Sequence, residues 1–432
     1  MGILIVFITS ILLAYAAKFL GSGKSSPVSI IALFWIISVL ASLVGTITLY
    51  SWDYTGVFWI YASLLLFCLA YFAGAPFYIV IRHQKKQVFK LKKVTFFSWV
   101  FLSILVILGI IKWGLQVYTN GFSLANFFSL ETLAEMNHEF AVNRYSGNGG
   151  EGGAAGAIIS ILNAMVYSAP LCGGFSYPYA DKSKKKILAV GSLVPSILVT
   201  LTNNTKAGMI GSFLLFFSSF FIGYYCKHGE WFKIRFKNIV WGIVGFLVFL
   251  GSMLFSMVLR MGSVNLSTFS IALQKVIIYA FGNIQSFDIW FSRYYGDESN
   301  FYGMMTFLGI ADTFGLMERV QGVYVALLDT SSNVFTVFRG IVSDFGMLGG
   351  IIFTAFLGFL FRISVNSIHK SNNPCISITF AISVLFFFTY GMIISPWTYL
   401  SFIVAFFILL VYVAMAYYNI RYLDDEYCER NI

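Results

Sequence analysis

The amino-acid sequence predicts an all-α polytopic membrane protein, and three observations carry that prediction. Hydrophobic residues make up 59% of the chain and charged ones 11%, with a mean hydropathy of +0.82, far outside the range of soluble domains. Apolar runs long enough to cross a hydrocarbon core of about 30 Å recur along the whole length. Lysine and arginine gather in alternate short connections, as they do where basic loops stay in the cytoplasm.

Taken in order, the apolar runs fall at 2–17, 28–50, 57–81, 94–117, 157–179, 187–202, 207–226, 238–260, 346–367, 374–394 and 397–419, about eleven transmembrane helices in a single membrane domain over 1–432. The first has no charged leading segment and no small-residue cleavage site, so it reads as a retained helix and not a signal peptide. If the helices alternate, Lys18 with Lys24, the cluster from Arg82 to Lys93, Lys182 to Lys186, Lys227 to Lys237, Arg362 with Lys370, and Arg421 with Arg430 share one side. That side is the cytoplasm, which puts the N-terminus outside and the C-terminus inside. The net charge of +10 is therefore a topology signal and does not imply a nucleic-acid partner. The five cysteines are scattered, without a CxxC pair, and predict neither a disulfide framework nor a thiolate metal site.

Two long outer loops follow, 118–156 and 261–345. The first holds a predicted amphipathic helix from Ser123 to Asn143 and a glycine-rich run from Ser146 to Gly156. Glycine at that density makes a mobile or tightly turning backbone, either a hinge or lid or a cradle for substrate. It is not a P-loop, because no strand precedes it and no Gly-Lys-Ser/Thr closes it. In the second loop, Ser267 to Phe281 and Phe301 to Leu316 show large residues at helical spacing, and aromatics crowd around Trp290, Phe291, Tyr294, Tyr295, Phe301 and Tyr302. These predict short amphipathic helices in the bilayer interface, roofing the membrane domain. Thr202 to Lys206 predicts a tight polar reversal at the outer surface, and Lys112, near the outer end of its span, is expected to snorkel outward.

The second loop ends in Asn333-Val-Phe-Thr336-Val-Phe338-Arg339-Gly-Ile-Val-Ser-Asp344-Phe345-Gly346-Met-Leu-Gly349-Gly350. This run resembles the start of a late membrane helix in the bacterial oligosaccharide repeat-unit polymerases, the Wzy family that makes O-antigen and some capsules. There an Asn-x-x-Thr and then an Asp-Phe-Gly-x-x-Gly close the large outer loop. The resemblance implies a GT-C-like fold and an inverting, metal-independent glycosyltransferase without cofactor. It implies transfer of a growing glycan from undecaprenyl pyrophosphate to a new lipid-linked repeat unit, at the periplasmic face of the bacterial inner membrane. The implied partners are undecaprenyl-pyrophosphate-linked oligosaccharides, membrane lipid and a chain-length regulator protein.

Such a reaction needs cations for the pyrophosphate and a base for the attacking hydroxyl. Arginine suits pyrophosphate, because its planar fork pairs with phosphate oxygens and stays charged. The predicted outer side holds Arg144, Lys206, Arg260, Lys275, Arg293, Arg319 and Arg339. Arg260 and Arg339 sit at membrane edges, where each is either a pyrophosphate ligand or a snorkelling helix end. Arg260, in the Ser-x-x-x-Arg context from Ser256, is also similar to the family pattern. Lys206 stands where the family carries arginine, and loses the bidentate grip. Arg144, Lys206, Arg293 and Asn333 are candidates for positioning donor or acceptor, with Tyr294 and Tyr295 for stacking on sugars. Candidate bases are His138, flanked by Glu135 and Glu139, and Asp344, whose expected place at a helix start equally suits an N-cap. No HExxH, Asp-x-Asp or His/Cys cluster points to a metal.

Three rivals stand beside this reading. An O-antigen ligase shares the helix number and a large outer loop. A flippase or exporter should carry repeated halves and a charged central path, neither of which the sequence contains. A non-catalytic assembly partner would leave the outer cations dispensable.

Overall fold

The structure, a computed structural model, describes residues 2–21, 26–46, 51–79, 93–119, 153–202, 206–233, 266–294, 300–318, 334–371 and 373–429, with two short strands and scattered positions besides. Within these, only the backbone is described for 153–160, 201, 206, 266–268 and 418–429.

In hydrocarbon, a backbone must satisfy its own polar groups, so uniformly apolar sequence becomes helix. The helices are α1 (Gly2–Leu20), α2 (Pro27–Thr46), α3 (Thr55–Ala73), α4 (Phe96–Thr119) and α5 (Gly153–Ser176). They continue with α6 (Ser183–Gly191), α7 (Val194–Thr202), α8 (Lys206–His228), α9 (Leu266–Ser292) and α10 (Leu308–Thr313). After an antiparallel pair of three-residue strands, β1 (Val325–Leu327) and β2 (Thr330–Ser332), come α11 (Val337–Ile368), α12 (Cys375–Tyr390) and α13 (Leu400–Glu429). Among the described residues, seven helices are long and apolar enough to cross a membrane.

Local sequence sets several boundaries. Ser26 caps α2, its Oγ accepting the Ser29 N–H at 3.1 Å, and Pro27 takes the first helical position, where its missing N–H costs nothing. Gly229 follows α8 with φ 74°, a left-handed exit that glycine adopts without strain.

Two helical groups share one wall. α3 packs on α11 with α1, α2 and α9 around them, and α5 packs on α8 with α4, α7 and α13 around them. α12 touches both groups, and every residue from Val384 to Tyr390 is buried. Small residues let the backbones approach, as in membrane helix pairs generally. A Cβ on Gly358 would stand 2.4 Å from the Phe67 carbonyl oxygen of α3, and one on Gly174 would stand 2.2 Å from the Phe216 carbonyl oxygen of α8.

The helices alternate so that contacts gather at two ends. One end joins residues 51–56, 288–294, 301–307, 335–345 and 391–400. The other joins 71–79, 178, 225–231 and 362–370, and it carries Lys227, Arg362 and Lys370. We call them the aromatic and the basic end.

Four expectations change. The predicted 187–202 span is two helices of nine residues each, α6 and α7, each only about 14 Å long at about 1.5 Å per residue. The predicted interfacial helix 267–281 extends to Ser292, and its second half, 282–291, is buried throughout and not laid on a surface. Lys112 does not snorkel. It is 5% exposed and donates to Gln116 one turn on, which satisfies part of the ammonium inside the bundle. Of the expected 301–316 helix, the six-residue α10 forms. Most of the predicted 238–260 span and of 123–143, and residues 146–152 of the glycine-rich run, lie outside the described residues, while 153–156 of that run form the first turn of α5.

Candidate functional site at the aromatic end

The buried half of α9 carries polar groups into an apolar environment, and each finds backbone to satisfy. Asp288 is 0% exposed. Its carboxylate accepts the N–H groups of Asp53 at 2.9 Å, Tyr54 at 2.8 Å and Gly56 at 2.8 Å. It thereby caps the start of α3 from another helix and places negative charge at the positive end of that helix. Asp288 lies outside the seven candidate spans. Burial raises its carboxyl above the ordinary value, and the backbone donors pull it the other way. Asn283 donates to the Met392 carbonyl, so α9 also fixes the exit of α12.

Two and six residues beyond Asp288, Trp290 and Tyr294 bury their rings with centroids 5.2 Å apart. Arg339 of α11 lies over Trp290 of this pair and over Phe335. Its guanidinium carbon is 5.3 Å from the Trp290 ring centre and 4.0 Å from that of Phe335, contacts worth about 0.5–2 kcal/mol each. Phe338 anchors the short first segment of α11, its ring 4.8 Å from Trp35 and 5.6 Å from Trp59. The Val337 N–H donates to the Gly391 carbonyl at 2.6 Å.

Asp344 closes that segment. It does not stand at a helix start: the chain is helical from Val337, and the break comes after it, at Gly346, with φ 70° and ψ 178°. The Asp344 carboxylate is 0% exposed and accepts the N–H groups of Met305 at 2.9 Å and Thr306 at 2.6 Å. The Ser343 and Asp344 carbonyls accept from Phe301 at 3.2 Å and Tyr302 at 3.1 Å. Ser395 then donates to the Thr306 carbonyl at 2.7 Å, and Phe307 stacks on Trp397 at 4.7 Å. Asp344 thus holds the 301–307 segment down over α11. A buried carboxylate already accepting two amides is a positioning residue, poorly placed to take a proton from a substrate hydroxyl.

The glycines of the same run are structural as well. Gly346 takes a conformation that is essentially glycine-only, and a Cβ on Gly350 would stand 3.0 Å from the Trp59 ring. Trp59 in turn donates to the Met347 carbonyl at 3.2 Å, just past the break.

Of the sequence-predicted site residues, Arg339, Tyr294 and Arg293 meet at this end. Tyr294 and Arg339 both pack on Trp290, and Arg293 is exposed at the exit of α9. Arg260, His138, Arg144, Tyr295 and Asn333 lie outside the described residues, as does the side chain of Lys206, the first residue of α8. Sequence reasoning missed Asp288, Trp290 as a seat for Arg339, and Phe335. The signal for Asp288 was a lone carboxylate between Phe287 and Ile289 in an apolar stretch. Among the described residues, no group of His, Cys, Asp and Glu is placed to hold a metal ion.

What the arrangement offers chemically is a guanidinium seated on aromatic rings at the edge of an apolar bundle. A guanidinium held in this way makes its hydrogen bonds in plane, the geometry that suits a phosphate oxygen pair. Comparison with protein-family models, curated proteins and solved structures finds no match for the chain.

Proposed function

We propose that this protein is a bacterial inner-membrane polymerase that transfers a growing glycan from undecaprenyl pyrophosphate to a new lipid-linked repeat unit. In this reading the aromatic end faces the periplasm, the basic end faces the cytoplasm, and the chain crosses about eleven times in a GT-C-like arrangement. Arg339 stabilises the departing pyrophosphate, held at the bundle edge by the aromatic seat beneath it. Arg260 is the second pyrophosphate ligand, and His138 receives the acceptor proton. Arg144, Lys206, Arg293, Tyr295 and Asn333 position the two glycans. Asp344 is reassigned from base to clamp.

The observation that carries the reading is Arg339 on Trp290 and Phe335, within the very run that resembles the polymerases. An arginine that merely snorkels needs no such seat. The test is polymer formation by the purified protein from synthetic lipid-linked repeat units, with metal chelated. Products of two or more repeats support the reading, and transfer only to a lipid A acceptor would favour the ligase.

A further inference from the structure

The second arginine of α11 sits at the opposite end and has no place in the polymerase reading. Arg362 faces Tyr71 of α3, its guanidinium carbon 4.9 Å from the ring centre, and its Nη1 donates to the Tyr71 hydroxyl at 3.2 Å. Its Nε is buried and has no hydrogen-bond partner. Nearby, α8 meets the end of α11 through Tyr225, which is stacked on Trp231 at 3.8 Å and meets the His369 ring at 4.8 Å. The guanidinium therefore stands where the two helical groups meet.

The described side chains around it include the cations Lys227 and Lys370. Lys185 pairs with Asp181 and Lys233 with Glu230, and among the described residues no carboxylate is paired with Arg362 or Lys370. Asn366 follows Arg362 by four residues on α11, the spacing of one helix face, and Lys370 stands in the turn just past the end of that helix. Asn366 ties down the segment after α3, donating to the Ala75 carbonyl at 2.9 Å and the Phe77 carbonyl at 3.0 Å. Lys370, exposed, holds its ammonium 3.8 Å from the Tyr78 ring centre.

A snorkelling arginine puts its donors into water and leaves none buried. Arg362 instead keeps a buried N–H without an acceptor, in a seat walled by tyrosines, with a second cation further out. The missing partner is an anion presenting oxygens to a planar fork, and phosphate is the group that does so. At a helix end in a bilayer, the abundant phosphate is the headgroup of an anionic lipid, which basic sites between membrane helices recognise.

We propose that Arg362 is the centre of a phosphate site between α3, α8 and α11, occupied by the headgroup of an anionic membrane lipid, with Lys370 as the outer cation that draws it in. The site is independent of the polymerase reading.

The test is thermal unfolding of the full chain in uncharged detergent, titrated with phosphatidylglycerol, phosphatidylcholine or inorganic phosphate. The midpoint should rise with phosphatidylglycerol alone, and Arg362→Gln should weaken that response about tenfold or more, the loss of a charge-assisted pair. Arg339→Gln, at the far end, should respond as the unaltered protein does. If Arg362→Gln fails to fold, Arg362→Lys carries the test, because it keeps the charge and stem and loses the fork; its response should be severalfold weaker. An unchanged phosphatidylglycerol response in the tested Arg362 variant, or no response in the unaltered protein, overturns the site. Protection by inorganic phosphate that depends on Arg362 would overturn the lipid assignment and make the occupant a soluble phosphate.

Discussion

The guanidinium of Arg339 lies 5.3 Å from the ring centre of Trp290, and this contact ties the start of α11 to the end of α9. It joins the run Asn333 to Gly350 to the aromatic cluster of the second loop. Because lysine lacks the planar fork, Arg339→Lys should lower polymer yield about tenfold or more while the protein still folds. Polymer yield from lipid-linked repeats, normalised to protein with an unchanged unfolding midpoint, checks this.

Asp344 takes both its oxygens to the backbone of the 301–307 segment. Asp344→Asn replaces one acceptor by an amide donor that faces an amide N–H, and should cost about 1–3 kcal/mol. Hydrogen exchange in the peptide covering Met305 and Thr306 should speed up, with smaller changes in α3 and α5. Unchanged exchange there would remove the clamp assignment.

Gly346 sits at φ 70° and ψ 178°. Gly346→Ala places a Cβ in a region that side chains do not tolerate, at a cost of about 1–3 kcal/mol. A lowered unfolding midpoint in detergent is the expected result, and Gly349→Ala should lower it less, because its backbone angles are helical.

The α3–α11 contact predicts a third stability effect. Since a Cβ at Gly358 would meet the Phe67 carbonyl oxygen at 2.4 Å, Gly358→Ala must push the two helices apart. A cost of about 1–3 kcal/mol, typical of overpacking, should appear as a lower midpoint.

What the sequence disclosed and what it hid divide along one physical line. Periodicity and hydropathy are local, so most of the long helices were legible, although the one expected from 346 begins at Val337 and is interrupted at Gly346. Partners far along the chain were not. Nothing near Asp288 announces that its acceptors serve residues 53–56, and only that pairing explains why the second half of α9 is buried. Asp344 looked like a cap because its amides, at 305 and 306, precede it by a whole loop. Arg339 was legible as a membrane-edge cation, but its seat on Trp290 depends on how α9 packs. Lys112 was expected to reach outward, and finds Gln116 instead. The 187–202 run reads as one span by composition, although the chain breaks at Ser192 and Leu193, just before Pro195.

The most direct measurement is the surface-glycan ladder of a strain lacking this gene, run beside its extracted lipid-linked oligosaccharides and complemented with either the unaltered gene or Arg339→Lys. A polymerase predicts surface material carrying a single repeat unit in the deletion strain, a full ladder with the unaltered gene, and a ladder collapsed toward one unit with Arg339→Lys. Complete loss of surface repeats, with intermediates trapped on the carrier, would contradict it and point to a flippase or a ligase.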